Sequence, residues 1–299
     1  MTNFLSYLFV GLRLGSVYAL IALGYTMVYG IIRMINFAHG DFIMVGGYTL
    51  VFTIPVVADR LGLPAWLSVI CAVAVCAVVG VLVELVAYRP VRRKGTGMSA
   101  LITAIAMSLI LENLAQAIPA IGPNPKIPNV IFSNAAIHLG SVTLDYTTIY
   151  TVLVSAAVML ALTLFVKKTK MGRAMRAVSE NKQASVLMGV NVDRTILLTF
   201  AIGSALAAVA ALMYIAQYPK VFSTLGSSLG LKAFVAAVLG GIGSIPGAML
   251  GGLVIGLVES FTTAYLTSSL ADTFVFLVLI AVLLLRPTGI LGKNEREKV

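Results

Sequence analysis

Three segments of this chain hold polar residue types at spacings suited to acting on another molecule, and none of them is arranged for bond-breaking chemistry. From Lys170 to Arg194 the chain reads KMGRAMRAVSENKQASVLMGVNVDR, a basic, helix-forming insert between apolar runs. Gly172, Arg173, Arg176, Ala177, Glu180, Ala184 and Gly189 give it a small-residue face and a charged face, with a glycine where helices favour ending. Small residues let such a helix sit deep in a partner's groove while Arg173, Arg176 and Glu180 make charged contacts at the rim. A loop lying amphipathically among lipid headgroups is the other reading. The second segment, Arg33 to Gly40 (RMINFAHG), puts a charge, the Asn36 amide and the His39 imidazole between two apolar runs. Polar groups at membrane depth are expensive and usually face a cavity or a helix interface. The third, Leu239 to Gly247 (LGGIGSIPG), interrupts an uncharged run with four glycines and Pro246, with Gly241, Gly243 and Ser244 at its centre. Glycine and proline weaken helical hydrogen bonding, and irregular backbone at depth is either buried in protein or lines a wet cavity.

Catalytic signatures are missing where an enzyme would need them. The chain has no GxxxxGK[ST] phosphate loop, no HExxH pair, no GxSxG elbow, and only two histidines. His39 reads equally as a pathway residue or as a helix-start group bonded to backbone, and Asn36 as an N-cap of the helix that follows. No second ligand lies at metal spacing from His39. Glu84, close to Arg89, and Glu112 read as salt-bridge or interfacial residues, and Glu259, after a long apolar run, as a helix-end residue. Cys71 and Cys76, five apart on one apolar run, face different sides of a helix and read as core fillers.

The elements that must position these segments follow from composition. Of 299 residues, 60% are apolar and 11% charged, against about a quarter charged in ordinary soluble domains. A membrane-crossing helix needs about 20 mainly apolar residues. Phe4–Ile31, Gly40–Ala58, Pro64–Ala87, Met98–Ile118, Thr147–Val166, Thr195–Ala216, the interrupted run Ala233–Val258 and the shorter Thr273–Leu285 meet or approach that length. The expected fold is an all-α polytopic bundle of eight or nine membrane-inserted helices with two broken or re-entrant segments. One transmembrane domain spans 1–299, with a segment at 167–194 projecting from it.

The net charge of +10 does not mark nucleic-acid binding, because fifteen of the 21 Lys and Arg fall in three clusters: Arg89–Lys94, Lys167–Arg194, and Arg286 with Lys293, Arg296 and Lys298. The positive-inside rule places these clusters on the cytoplasmic face, and with them the C-terminus. The connection Pro119–Tyr146, charged only at Lys126 and Asp145, then lies outside. The start MTNFLSYLFVGLRLG has no basic n-region and reads as a retained first span. The two breaks fall in the two halves of the chain, the arrangement that points to a solute path in transporters. Gly243, Gly247 and Gly251 are four apart, as are Gly252 and Gly256, and close helix packing is the reading that fits Gly247 onward.

With those residues set out, the chain resembles the permease subunits of bacterial branched-chain amino-acid ABC transporters, specifically the smaller, LivH-type member of the permease pair. The resemblance is carried by GSVYALIALGYTMVYGIIRMINFAHGDFIMVGGY (15–48), GRAMRAVSENKQASVLMGVNVDR (172–194), VLGGIGSIPGAMLGGLVIGLVE (238–259) and RPTGILG (286–292), and so runs essentially the whole length. It implies an importer of the bacterial inner membrane with a second, unlike permease, two ABC ATPases and a periplasmic amino-acid-binding protein, set in membrane lipid. ATP and Mg would belong to the ATPases, with no cofactor on this chain. Residues 172–189 would form the coupling helix, and the two breaks would border the path. Urea or a small amide is the alternative cargo within the class. A stand-alone secondary carrier or channel is the alternative outside it, but spans 147–166, 195–216 and 233–258 carry no acid for ion coupling.

Overall fold

The computed structural model describes residues 2–94, 97–128, 136–139 and 142–292. Lys293, Arg296 and Lys298, part of the third basic cluster, lie outside the described residues. Among those described, eight helical stretches are long and apolar enough to cross a membrane: Phe4–Ile32, Phe37–Arg60, Leu67–Lys94, Met98–Ala117, Tyr146–Lys168, Val192–Ile215, Ile245–Tyr265 and Ser268–Leu285. The helices at their cores are α1 (Thr2–Ile32), α2 (Asp41–Pro55), α3 (Leu67–Val83) with its continuation α4 (Arg89–Lys94), α5 (Gly97–Ala117) and α6 (Tyr146–Lys168). The insert forms α7 (Lys170–Glu180) and α8 (Lys182–Leu187), followed by α9 (Val192–Ile215), α10 (Leu225–Gly240), α11 (Ile245–Tyr265) and α12 (Ala271–Leu285). At 1.5 Å per residue the apolar α10 is roughly 24 Å long, short of a hydrocarbon core of about 30 Å.

The core is α1, α9, α10 and α11 with α2 and α3, while α5, α6 and α12 turn residues such as Leu109, Leu153, Leu160 and Leu284 outward. Lipid solvates those side chains, so their exposure has no cost. Small residues set the closest approaches. α11 lies antiparallel to α1: Ser260 donates to the Tyr7 carbonyl at 2.7 Å, Phe4 stacks on Phe261, and a methyl at Gly256 would sit 2.1 Å from the Gly15 amide nitrogen. The other small face of α11 seats on α10, Gly251 against Ala236 and Gly247 against Gly240. The packing reading of these glycines therefore holds, on two different neighbours. Cys76 is buried and donates to the Phe42 carbonyl at 3.3 Å, while Cys71 on the far side of α3 is exposed and fills no core.

One end of the bundle carries the basic residues. Arg92 and Arg93 meet Asp193 at the start of α9, and Lys182 on the insert reaches the Ile32 carbonyl at the end of α1 (3.3 Å). At the opposite end a two-stranded antiparallel hairpin, β1 (Ala136–Leu139) with β2 (Val142–Asp145), leads into α6. Asp145 there pairs with Arg13 of α1 at 2.9 Å.

The two breaks differ in kind. The first is a connection: α1 ends with Arg33 in the left-handed region (φ 59°), and a single 3₁₀ turn, Phe37–His39, feeds α2. The second is the turn of a helical hairpin. Gly241–Ser244 joins α10 to α11 at the basic end, beside Gly30 near the close of α1. Ile290 and Leu291 donate backbone hydrogen bonds to the carbonyls of Leu239 and Gly240 at 2.9 and 3.0 Å, so the tail satisfies groups that end α10.

Gly241 and Gly243 hold φ 100° and 96°, where an L-residue is strained by about 1–2 kcal/mol. A methyl at Gly241 would also lie 2.4 Å from the Gly292 nitrogen, whereas one at Gly243 meets nothing within 4 Å. Gly241→Ala is therefore expected to lower the melting temperature of the purified protein clearly more than Gly243→Ala. Equal shifts in a thermal-stability assay would show that the tail yields freely.

Candidate functional site: a helical insert and two breaks

The residues of the first break are buried inside protein. Asn36 is 2% exposed and makes no N-cap bond; its Oδ1 accepts from the Tyr88 hydroxyl at 2.7 Å, a partner 52 positions away. Tyr88 reaches it because a wide π turn, Glu84–Tyr88, points both Glu84 and Tyr88 inward. His39 is fully buried, its ring edge-on to Tyr25 (4.6 Å) and Phe42 (5.7 Å) and filling the space a side chain at Gly24 would need. Gly24 lies eight residues before Ile32, roughly 12 Å of helix from the basic end. Gly40 sits against the Gly226 carbonyl and the Gly230 Cα. Asn36, His39 and Gly40 thus tie α1, α2, α3 and α10 together at depth.

Asp41, which the sequence reading passed over, is fully buried next to them, with Ser108 and Glu112 of α5 as polar neighbours. The amino end of α2 favours a carboxylate there.

In the second break Gly241 is buried under the tail, Gly243 is exposed, and the Ser244 hydroxyl accepts from the Gly247 amide at 3.2 Å as the N-cap of α11. These three residues and the first break are not brought to one site: the hairpin turn lies at the basic end and His39 deeper in the bundle.

The insert projects from the basic end as two short helices. Thr169 caps α7 by accepting from the Gly172 amide (2.9 Å), and Asn181 caps α8 by accepting from Ala184 (2.9 Å), so each helix starts on a side-chain oxygen. Met175 and Val178 turn inward, and Gly172 is buried where any side chain would strike the backbone of Phe165 and Val166. Arg173, Ala177, Glu180 and Ala184 are exposed. Arg176, also exposed, donates to the carbonyls of Val166 and Lys167 and so caps the end of α6. Gly189 ends α8 with φ 79°. Of the seven residues singled out in the insert, Gly172 and Arg176 serve the fold of the insert and the others form its outward face. Partial burial, with Arg92 and Arg33 nearby, lowers the Lys182 pKa from the ordinary lysine value.

Sequence reasoning missed the most exposed part of this face. Val186, Leu187 and Met188 follow one another at the corner after α8 and are 59%, 87% and 84% exposed. Three consecutive exposed apolar residues on a segment outside the spanning helices form the kind of patch that marks a contact surface.

The insert is braced by ion pairs. Glu84, fully buried, lies 3.2 Å from Arg92 and 3.3 Å from Arg89, and Arg92 in turn holds Asp193 at 2.6 Å. The salt-bridge reading of Glu84 is the one observed. Removing one partner of a buried pair costs about 3–5 kcal/mol. Glu84→Ala should therefore lower thermal stability by about that amount, whereas an unchanged melting temperature would show that the arginines re-pair with Asp193 at no cost.

Taken together, the arrangement is that of a multi-pass helical membrane protein with one helical projection at its basic end. Residues 7–283 match the family described as "Branched-chain amino acid transport system / permease component", and the chain belongs to that family. It is 44% identical to the high-affinity branched-chain amino acid transport system permease protein BraD of Pseudomonas aeruginosa, over 99% of this chain and 98% of that one. It is 45% identical to the corresponding LivH protein of Escherichia coli K12, with the same coverage of each. A solved structure, PsaBC from Streptococcus pneumoniae in complex with Fab, is similar at TM-score 0.46 and 15% identity over 96% of this chain and 92% of that one.

Proposed function

We propose that this chain is the permease subunit of an ATP-driven ABC importer for branched-chain, aliphatic amino acids in the bacterial inner membrane. It supplies half of the translocation path, beside a second, unlike permease that supplies the other half. Two ABC ATPases bind ATP and Mg and dock on the insert, and a periplasmic amino-acid-binding protein delivers substrate. The chain itself is a single transport domain that catalyses no reaction. The basic end, with the coupling segment 167–194 and the C-terminus, faces the cytoplasm, as the positive-inside rule requires.

The observation that carries this reading is the insert: two capped helices outside the spanning bundle, with an exposed apolar corner at Val186–Met188, in a chain that belongs to a transport-permease family. An exposed apolar corner on a projecting helical segment suits a groove on a soluble subunit. In this reading the two breaks, with Asn36, His39, Gly40, Gly241, Gly243 and Ser244, border the path; the buried residues of the first break brace helices, and movement of α2 and α10 about them is the step that would open it.

Purifying the chain from its native membrane in mild detergent and identifying stoichiometric partners by mass spectrometry tests the assignment. Two ATPases and an unlike permease are expected. A chain that emerges alone or as a homodimer and still transports would overturn it in favour of a secondary carrier.

A further inference from the structure

The end of the bundle opposite the insert holds a charge cluster in which no site is assigned. Lys232 of α10 lies 2.7 Å from Glu259 of α11 and 2.8 Å from Asp272 of α12, and the Tyr18 hydroxyl of α1 donates to the other Glu259 oxygen at 2.7 Å. Tyr214 and Tyr218, rings 5.1 Å apart, lie within electrostatic reach of Lys232 and Glu259. Glu259 is thus no helix-end residue; it stands more than a turn inside α11, which ends at Tyr265.

Two features separate this cluster from a plain structural lock. The first is access: the side chains of Lys232 and Glu259 are 19% and 15% exposed and that of Asp272 is 64% exposed. The second is the face on which Lys232 stands. Thr224, Ser227 and Ser228 are exposed along the same half of α10, a polar stripe in an otherwise apolar bundle. The Ser227 and Ser228 hydroxyls donate to the Thr224 and Leu225 carbonyls of their own helical stretch at 3.0 and 3.1 Å, which leaves their oxygen lone pairs to accept from water or a ligand.

We propose that Lys232, Glu259 and Asp272 form the station where the path receives the charged main-chain end of an amino acid, the ammonium against the two carboxylates and the carboxylate against Lys232. This proposal rests on the amino-acid importer reading above. The cluster holds one positive and two negative charges, so it offers each end of a zwitterion a partner: an arriving ammonium takes a carboxylate from Lys232 and leaves that lysine to the ligand's own carboxylate. The two contacts Lys232 makes within the protein are exchanged for contacts with the ligand, and the net charge of the site is unchanged. An anion would set a third negative charge against one lysine, a monocation would balance the set without engaging Lys232, and an uncharged ligand opens the pairs with nothing in return. Aromatic hydroxyls around the pair supply further hydrogen bonds.

The test uses the whole complex in proteoliposomes with its binding protein and radiolabelled leucine. In Glu259→Gln and Lys232→Met, uptake should fall at least tenfold while complex recovery and ATP hydrolysis stimulated by the loaded binding protein stay within twofold of wild type. Asp272→Asn removes an exposed carboxylate and decides the case if either of the other variants fails to assemble; at least threefold slower uptake with hydrolysis retained is expected of it. Wild-type uptake together with unaffected uptake in the variants overturns the station alone. A wild-type complex that hydrolyses ATP and moves no amino acid overturns the importer reading, and this site with it.

Discussion

Leu187→Asp and Met188→Asp should each cut transport at least tenfold while leaving the chain fully inserted in the membrane. Both side chains are more than four-fifths exposed at the tip of the insert. Burying a leucine or methionine against a partner stabilises a complex by about 1.5–3 kcal/mol. Each 1.4 kcal/mol is a factor of about ten in affinity, so losing that contact and adding a carboxylate to a drying surface exceeds the tenfold threshold. The measurement is co-purification of the ATPases together with substrate-coupled hydrolysis. If the corner instead lies in lipid headgroups, both variants keep their ATPases and full coupling, and the docking assignment fails. Arg176→Ala is the contrasting case: Arg176 caps α6, so its loss should weaken the insert's attachment to the bundle rather than the partner contact alone.

Gly256→Val should be among the most damaging single substitutions in the spanning region. The added Cβ would stand 2.1 Å from the Gly15 nitrogen, 2.3 Å from the Gly15 Cα and 2.7 Å from the Gly11 carbonyl oxygen, all backbone atoms that no rotamer change can move. Overpacking costs about 1–3 kcal/mol when side chains can yield, and a backbone clash lies at or beyond the top of that range. At about 2–4 °C per kcal/mol, a loss of about 3 kcal/mol lowers the melting temperature by roughly 6–12 °C. A detergent-purified variant that elutes as wild type and melts within about 2 °C of it would show that α1 and α11 separate without loss. The same change at Gly243, where φ is 96° and nothing lies within 4 Å, brings backbone strain without a clash and should cost less.

Much of this was legible from residue order. The apolar runs fixed the spans because bilayer thickness sets helix length, and the glycine and proline run marked a true interruption. Its depth was not legible, since a stretch without charge has no marker of where it meets the interface. Lys232 stands one residue before the uncharged run Ala233–Val258 and Glu259 one residue after it, so the two read as flanks. Folding α11 back on α10 at Gly241–Ser244 makes them a 2.7 Å pair. Asn36 read as an N-cap because its competing partner, Tyr88, is distant in sequence. The apolar corner at Val186–Met188 escaped notice because its letters suit a buried helix end equally well. Arg173, Ala177, Glu180 and Ala184, whose polarity and size follow helical spacing, are all exposed on the insert.

The tail that closes the α10–α11 hairpin also bears on how the protein is made. The carbonyls of Leu239 and Gly240 find their partners in Ile290 and Leu291, 51 positions later in each case (290 minus 239, 291 minus 240). Those partners leave the ribosome only after α11 and α12 have been synthesised. While the chain is being threaded into the bilayer, the end of α10 is an unfinished structure, its carbonyls served by water or by the insertion machinery. A nascent chain halted before residue 290 can place the eight spanning helices found among the described residues and still lack the seal on that hairpin, so closing it waits on the synthesis of Ile290 and Leu291.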